Sequence, residues 1–242
     1  MALGIALLLL GLAVLSHTAP FPFVLDAANG GISVWRVPEP AGRRVVYLTY
    51  DDGPNPRATP ELLDLLRDKR VSATFFLIDR HLTDKTAPIV RRMFDEGHAV
   101  GLHSDDRWLM MRSAGDLAGK LNAAAERIEA LTGHRPCPLF RPHAGWRSVP
   151  MLRGLSRLGY KLAGWSWMAW DFTWFRKRTG SRVAAQVLAH AAPGKIIVIH
   201  DGHHKNPQAE RRYAVEATRL IIDGLRARGY EFAAFCEPSP RK

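Results

Sequence analysis

The stretch Val45-Val46-Tyr47-Leu48-Thr49-Tyr50-Asp51-Asp52-Gly53-Pro54 decides the fold, because it reads as a buried strand that stops on two adjacent carboxylates. Val, Tyr, Leu and Thr suit a pleated, largely buried strand, and Gly-Pro after Asp52 ends it. Asp51 and Asp52 therefore fall where a strand meets a loop, the place at which parallel-sheet and barrel enzymes hold their chemistry. Successive strand residues point to opposite sides, so the two acids meet different surroundings and can serve different tasks, one binding a metal and the other taking a proton. A turn that merely opens on two acids gives the same local pattern, and the rest of the chain has to decide between them.

Outward from this strand the chain alternates helical and strand-like stretches. Residues 60–69 carry Leu62, Leu63, Leu65 and Leu66 at helical spacing, with Pro60 suited to a first turn. Residues 73–78 and 98–103 read as buried strands, separated by a helix over 87–96 that Gly97 closes. A long amphipathic helix over 113–131 stops at Gly133, and a short strand follows at 139–142. The pattern continues with a helix at 149–158, a strand at 161–165, a helix at 182–191, a strand at 196–200, a helix at 208–228 and a closing strand at 231–235. Repeated units of this length predict a parallel sheet with right-handed crossovers, either doubly wound or barrel-shaped. About seven strands and no glycine-rich phosphate loop favour an α/β fold of the distorted (β/α) barrel type. One rim then collects Asp51, Asp52, His103, Arg141, Asp171 and His200 at strand ends.

The chain has 242 residues, 47% of them hydrophobic, enough for one large core, and no repeat or low-complexity segment divides it. Lys plus Arg outnumber Asp plus Glu by 34 to 23, giving +11 and a pI near 10.2. That balance suits anionic surroundings such as an acidic envelope polymer, and the scattered basic residues lack the aromatic-interleaved block of a nucleic-acid site. Residues 1–25 begin with an apolar run centred on Leu7-Leu8-Leu9-Leu10 and read as a signal peptide or an N-terminal membrane anchor. Either reading predicts an extracytoplasmic protein. Residues 26–42 read as a linker, 43–237 as the domain and 238–242 as a tail. Cys137 and Cys236 have neither zinc-cluster nor redox-pair spacing, which leaves one disulfide or two buried thiols.

A carboxylate and an imidazole from different strand ends can hold a divalent metal with an open position for water. A second carboxylate, Asp51, can then deprotonate that water and a second imidazole, His200, can protonate a leaving group. Thr49-Tyr50-Asp51-Asp52-Gly53-Pro54, Gly97-His98 to His103-Ser104, Phe140-Arg141-Pro142 to Gly145, Trp165-Ser166 to Asp171, and Ile196 to His200-Asp201-Gly202 resemble, in order and spacing, the motifs of the polysaccharide deacetylases, the NodB-homology or carbohydrate esterase family 4 group. The resemblance implies a NodB-type barrel and metal-dependent removal of N- or O-linked acetyl groups from an acetylated glycan: peptidoglycan, a chitin-like oligomer or an exopolysaccharide. It also implies roles. Asp51 is the general base, Asp52 and His103 are ligands of a metal expected to be Zn2+, and His200 is the general acid tuned by Asp171. Arg141 positions Asp51, and the backbone N–H of Ala144 joins the metal in stabilising the tetrahedral oxyanion.

The sequence departs from the family pattern in three places, one of them beside Asp171, where Met168 and Phe172 stand for a usual acid and tryptophan. The motif H-[ST]-x-x-H reads His103-Ser104-Asp105-Asp106-Arg107, so the third ligand position holds Arg107, whose guanidinium cannot bind a cation. Asp106, or Asp105 beside it, is expected to supply the missing oxygen while Arg107 turns outward. The alternative sets Arg107 against Asp52 in place of the metal and makes the chain a catalytically silent glycan-binding protein on the same fold. The third motif carries His143-Ala144 where proline and an aromatic residue are usual, and Trp146 is expected to replace that wall. With Trp146, Trp170 and Phe172 are expected to line the sugar groove, while about half of the aromatic cluster from Trp165 to Phe175 is ordinary packing. His203 and His204 read as surface-loop histidines, with spare metal ligands as the alternative.

Overall fold

The computed structural model describes residues 1–39, 42–169, 171 and 178–236; Trp170, Phe172 and the 238–242 tail lie outside them. In chain order, α1 (Ala2–Thr18) and the single turn α2 (Val24–Ala27) precede β1 (Ser33–Val34) and β2 (Val45–Gly53). There follow α3 (Thr59–Asp68), β3 (Thr74–Ile78), α4 (Ala87–Asp95), β4 (Ala99–His103), α5 (Ala114–Thr132), β5 (Leu139–Arg141), α6 (Val149–Leu158), β6 (Lys161–Ala163) and β7 (Trp167–Met168). The last elements are α7 (Gly180–His190), β8 (Ile196–His200), α8 (Arg212–Arg226) and β9 (Glu231–Phe232).

Strand β2 is buried at every position and sits in the middle of the sheet, as its apolar and aromatic side chains require. The strand order is β1-β6-β5-β4-β3-β2-β8-β7, with β9 beside the start of β2, and the pairings are parallel. Among the described residues β1 and β7 do not pair with each other, so the sheet curls into an open, distorted (β/α) barrel. Register then assembles the chemistry. Asp51 lies beside His200 on one side and Phe76 on the other, and His103 lies beside Arg141.

Helix ends follow local chemistry. Ser113 and Ser148 accept from Asp116 N–H and Met151 N–H at the starts of α5 and α6, while Gly133 and Gly159 close them in the left-handed region. The inner faces of the helices complete the core. Leu62, Leu63 and Leu66 of α3 are fully buried, each contributing about 1.5–3 kcal/mol of transfer free energy.

Two features depart from the expected layout. The two-residue strands β1 and β7 were not anticipated, since two residues carry no periodicity. The first lies in the stretch expected to be a linker: Ser33 and Val34 pair with Leu162 and Ala163, and the Trp35 ring packs edge-on against Trp165 at 5.7 Å. That part of 26–42 is therefore barrel wall. Cys137 and Cys236, 99 residues apart, form a disulfide with a Cα–Cα distance of 6.6 Å. In the chain-entropy account, closing such a loop stabilises the fold by on the order of 4–5 kcal/mol.

Candidate active site

The strand ends surround a cavity of about 380 Å³ lined by Asp51, Asp52, His103, Ala144, Trp146 and His200, among others. Five of the sequence-predicted site residues and the predicted oxyanion residue thus share one space or its wall. Arg141 is fully buried behind it. Its Nη1 donates to Asp51 Oδ1 at 2.6 Å and to Thr49 Oγ1 at 2.8 Å, while Nε and Nη2 donate to the carbonyls of Ala163 and Gly164 at 3.1 and 3.0 Å. The guanidinium is held from several sides, so it fixes the Asp51 carboxylate as a planar fork can.

Across the rim, Asp171 performs the same service for His200. The His200 backbone N–H donates to Asp171 Oδ2 at 2.8 Å, and its Nδ1 donates to Oδ1 at 2.8 Å. The Tyr213 hydroxyl donates to the same carboxylate at 3.2 Å. Burial alone would depress the imidazole, but the Asp171 carboxylate outweighs it and, with Asp52 and Asp51, raises the His200 pKa to about 9. Asp171 is lowered in return: burial opposes its charge, and His200 overrides it.

Asp52 stands at φ 69°, in the left-handed region, which swings its side chain away from Asp51. The strained carbonyl accepts from His81 Nδ1 at 3.1 Å, a buried partner that nothing in the sequence pointed to. His103 Nδ1 donates to the Arg141 carbonyl at 2.7 Å, which fixes the tautomer and turns Nε2 to within 3.3 Å of Asp52 Oδ1. Burial opposes the Asp52 charge, but His103, with His200 and His204 nearby, holds the carboxyl well below the usual carboxylate range. A third carboxyl, Asp201, lies beneath this pair, fully buried. Burial first, and then the charges of Asp52 and Asp51, push it up to about 7. Its position directly after His200, at the end of a buried strand, was the available signal.

The donor chemistry fits a divalent metal at two positions: an oxygen and an imidazole nitrogen facing one point. Among the described residues no group of three His, Cys, Asp or Glu side chains gathers closely enough to hold an ion. The expectation for Asp106 is corrected here. Its Oδ1 accepts from Trp108 N–H at 2.8 Å, capping a 3-10 helix at Arg107–Met111, and its Oδ2 lies 3.9 Å from Lys120 Nζ. Asp105 is paired with Arg80 at 2.5 Å. The Arg107 guanidinium lies 5.8 Å from the centre of the Trp146 ring. Among the described residues it makes no ion pair with Asp52. The remaining imidazoles lining the cavity are His143, His203 and His204, with His143 and His204 edge to face at ring centroids 5.2 Å apart.

The turn after β5 supplies the last element. Ala144 has φ 50° and ψ 19°, and its N–H has no backbone partner among the described residues. Gly145 follows at φ 74°, where a Cβ would come within 2.8 Å of Trp165. Glycine therefore lets the turn lie this close to the Trp165 ring. Trp146 lines the cavity as expected, and so does the largely buried Trp165, whereas Trp167 stacks on His190 at 3.7 Å, the ordinary packing expected of part of the aromatic cluster.

Comparison with known proteins agrees with this fold. The family model for polysaccharide deacetylase matches residues 39–163. A chitooligosaccharide deacetylase from a Bradyrhizobium species is 33% identical over 210 residues, 79% of this chain and 89% of that protein. Among solved structures, a peptidoglycan N-acetylglucosamine deacetylase superposes with a TM-score of 0.75 at 26% identity, covering 89% of this chain and 95% of that one. A family 4 acetyl xylan esterase from Clostridium thermocellum, solved with a cobalt ion, gives 0.68 at 31% identity over 78% of this chain and 87% of its own. The chain belongs to the polysaccharide deacetylase family.

Proposed function

We propose that this chain is a metal-dependent hydrolase that removes N- or O-linked acetyl groups from a cell-wall or exported polysaccharide. The observation that carries the reading is the pairing of a wired base and a wired acid on one rim: Asp51 held by Arg141 at 2.6 Å and His200 held by Asp171 at 2.8 Å. A silent glycan binder has no use for either arrangement.

Asp52 and His103 would hold the metal, Zn2+ by their donor chemistry. When bound, it supplies a Lewis acid that polarises the acetyl carbonyl and acidifies water. His204 or His143 is the better source of a third ligand than Asp106, whose carboxylate is committed to its cap. Asp51 accepts the proton of the attacking water, and Arg141 keeps it aimed. His200 carries a proton at neutral pH and delivers it to the departing sugar nitrogen or oxygen. The Ala144 N–H donates to the oxyanion from the opposite wall, and Trp146 offers a face to the sugar ring.

Relatives named for chitooligosaccharide and peptidoglycan support an acetylated glycan of that chemistry. The disulfide supports action outside the reducing cytoplasm. The test is acetate release from acetylated chitooligosaccharide, peptidoglycan and acetyl xylan with added zinc or cobalt. Release that Asp51→Asn abolishes supports the reading; no release from any of the three contradicts it.

A further inference from the structure

Helix α1 contains no ionisable side chain from Ala2 to Ser16, and Leu3, Ile5, Leu7, Leu8, Leu9 and Leu10 are exposed around its circumference. A helix that is apolar all round has to be buried all round. A protein partner, a second copy included, packs ridges into grooves along one face and leaves the other in water. Lipid covers every face. Phe21 and Val24, also exposed, stand just beyond its end, and the chain's +11 charge suits anionic headgroups. At 17 residues the helix is about 25 Å long, and no helix of the described residues is long and apolar enough to cross a membrane. A helix this short draws the polar end that follows it into the headgroup layer.

That end is fastened to the catalytic rim. The Arg147 N–H donates to the carbonyl of His17 at 2.9 Å. Its fully buried guanidinium donates to the carbonyls of Ala19 and Phe21 at 2.7 and 2.9 Å, to the Gly145 carbonyl at 3.0 Å and to both oxygens of Asp26. One side chain therefore ties the foot of α1 to the turn that carries Ala144. Thr18 and Pro20 consequently form part of the cavity wall, with Asp52 and His103.

We propose that α1 enters a lipid bilayer and that the Arg147 clamp holds the catalytic cavity at its surface, so that the acetylated saccharide this enzyme processes is presented there. The substrate part rests on the deacetylase reading; the placement does not.

The full chain is mixed with phosphatidylcholine–phosphatidylglycerol vesicles, with a fluorophore at Lys205→Cys beyond β8, on the cavity side, or at Asp68→Cys at the end of α3, on the far side. The native cysteines are disulfide-bonded, so the introduced thiol is the one labelled. The chain should float with the vesicles, and nitroxide-headgroup lipid should quench the Lys205→Cys probe at least twofold more than the Asp68→Cys probe. Leu7→Glu with Leu8→Glu should abolish flotation and quenching. Acetate release from acetylated chitooligosaccharide tethered to vesicle lipid should exceed that from the free sugar about tenfold, through effective concentration, and the double variant should keep only the free-sugar rate. Absence of flotation, stronger quenching on the far side, or a vesicle-independent dimer that the double variant dissociates overturns the placement. Equal rates on tethered and free sugar overturn the membrane-presented substrate. Rim quenching without acetate release from either supports the placement and overturns the deacetylase reading.

Discussion

Asp51 and Asp52 are neighbours in sequence, yet the half of the rim around Asp51 and His200 is tied through buried ion pairs to the barrel core, whereas in the other half Asp52 and His103 face each other at 3.3 Å and are otherwise held through the Asp52 and Arg141 carbonyls. On the first side each proton-handling group has a buried partner of opposite charge, itself held by the backbone of other strands. On the second, the residue at the family's third ligand position is Arg107, over the Trp146 ring. The difference teaches that proton transfer and metal binding are separable in this fold, because the left-handed backbone of Asp52, where the strand register shifts, sends its carboxylate to a different neighbour from that of Asp51. Substitutions on the two sides should fail in different ways.

The largest effect is expected from Asp51→Asn. It should lower kcat by about 10³-fold or more, the scale of a general base, while the chain still binds its metal in a dialysis assay. Next, Asp171→Asn should cost about 10²–10³ in kcat and remove the charge that holds His200 up. In NMR titration of chelator-treated protein, the His200 pKa should fall from about 9 towards the ordinary value of about 6.5. The sign for stability follows. A histidine whose folded pKa is raised contributes fully below its unfolded value and loses that contribution as pH climbs through the folded one. The His200 contribution to parent stability should therefore fade between about pH 6.5 and 9, and denaturant melts of Asp171→Asn should show a flatter pH dependence there.

Two smaller changes probe the walls. Gly145→Ala would set a Cβ 2.8 Å from Trp165 at a positive φ, costing about 1–3 kcal/mol; kcat should drop beyond what the lost stability explains, since Ala144 moves with the turn. Asp106→Ala removes a cap and should cost about 1 kcal/mol, with metal content unchanged. Loss of metal from that variant would return Asp106 to the ligand set.

Much of this was legible before any coordinates. Apolar periodicity with Pro60, Gly97, Gly133 and Ser113 as punctuation gave the helices nearly to their ends, because these signals act locally. Strand ends gave Asp51, Asp52, His103, Arg141 and His200, because a buried strand that stops on a polar residue has little else to do with it. The misses are long-range. Strands β1 and β7 exist through pairing with distant partners. The choice between Asp105 and Asp106 turned on a 3-10 cap and on Arg80, which also donates to the His204 carbonyl and so binds that loop beside the ligand motif. His81, reaching the Asp52 carbonyl from a neighbouring turn, left no mark in the sequence.

The most direct test of the division between the two halves is turnover of Asp51→Asn on acetylated chitooligosaccharide at saturating cobalt. The account predicts a metal-loaded protein that releases acetate at least about 10³-fold more slowly than the parent. Turnover within tenfold of the parent, with metal bound, would contradict the assignment of Asp51 as the base.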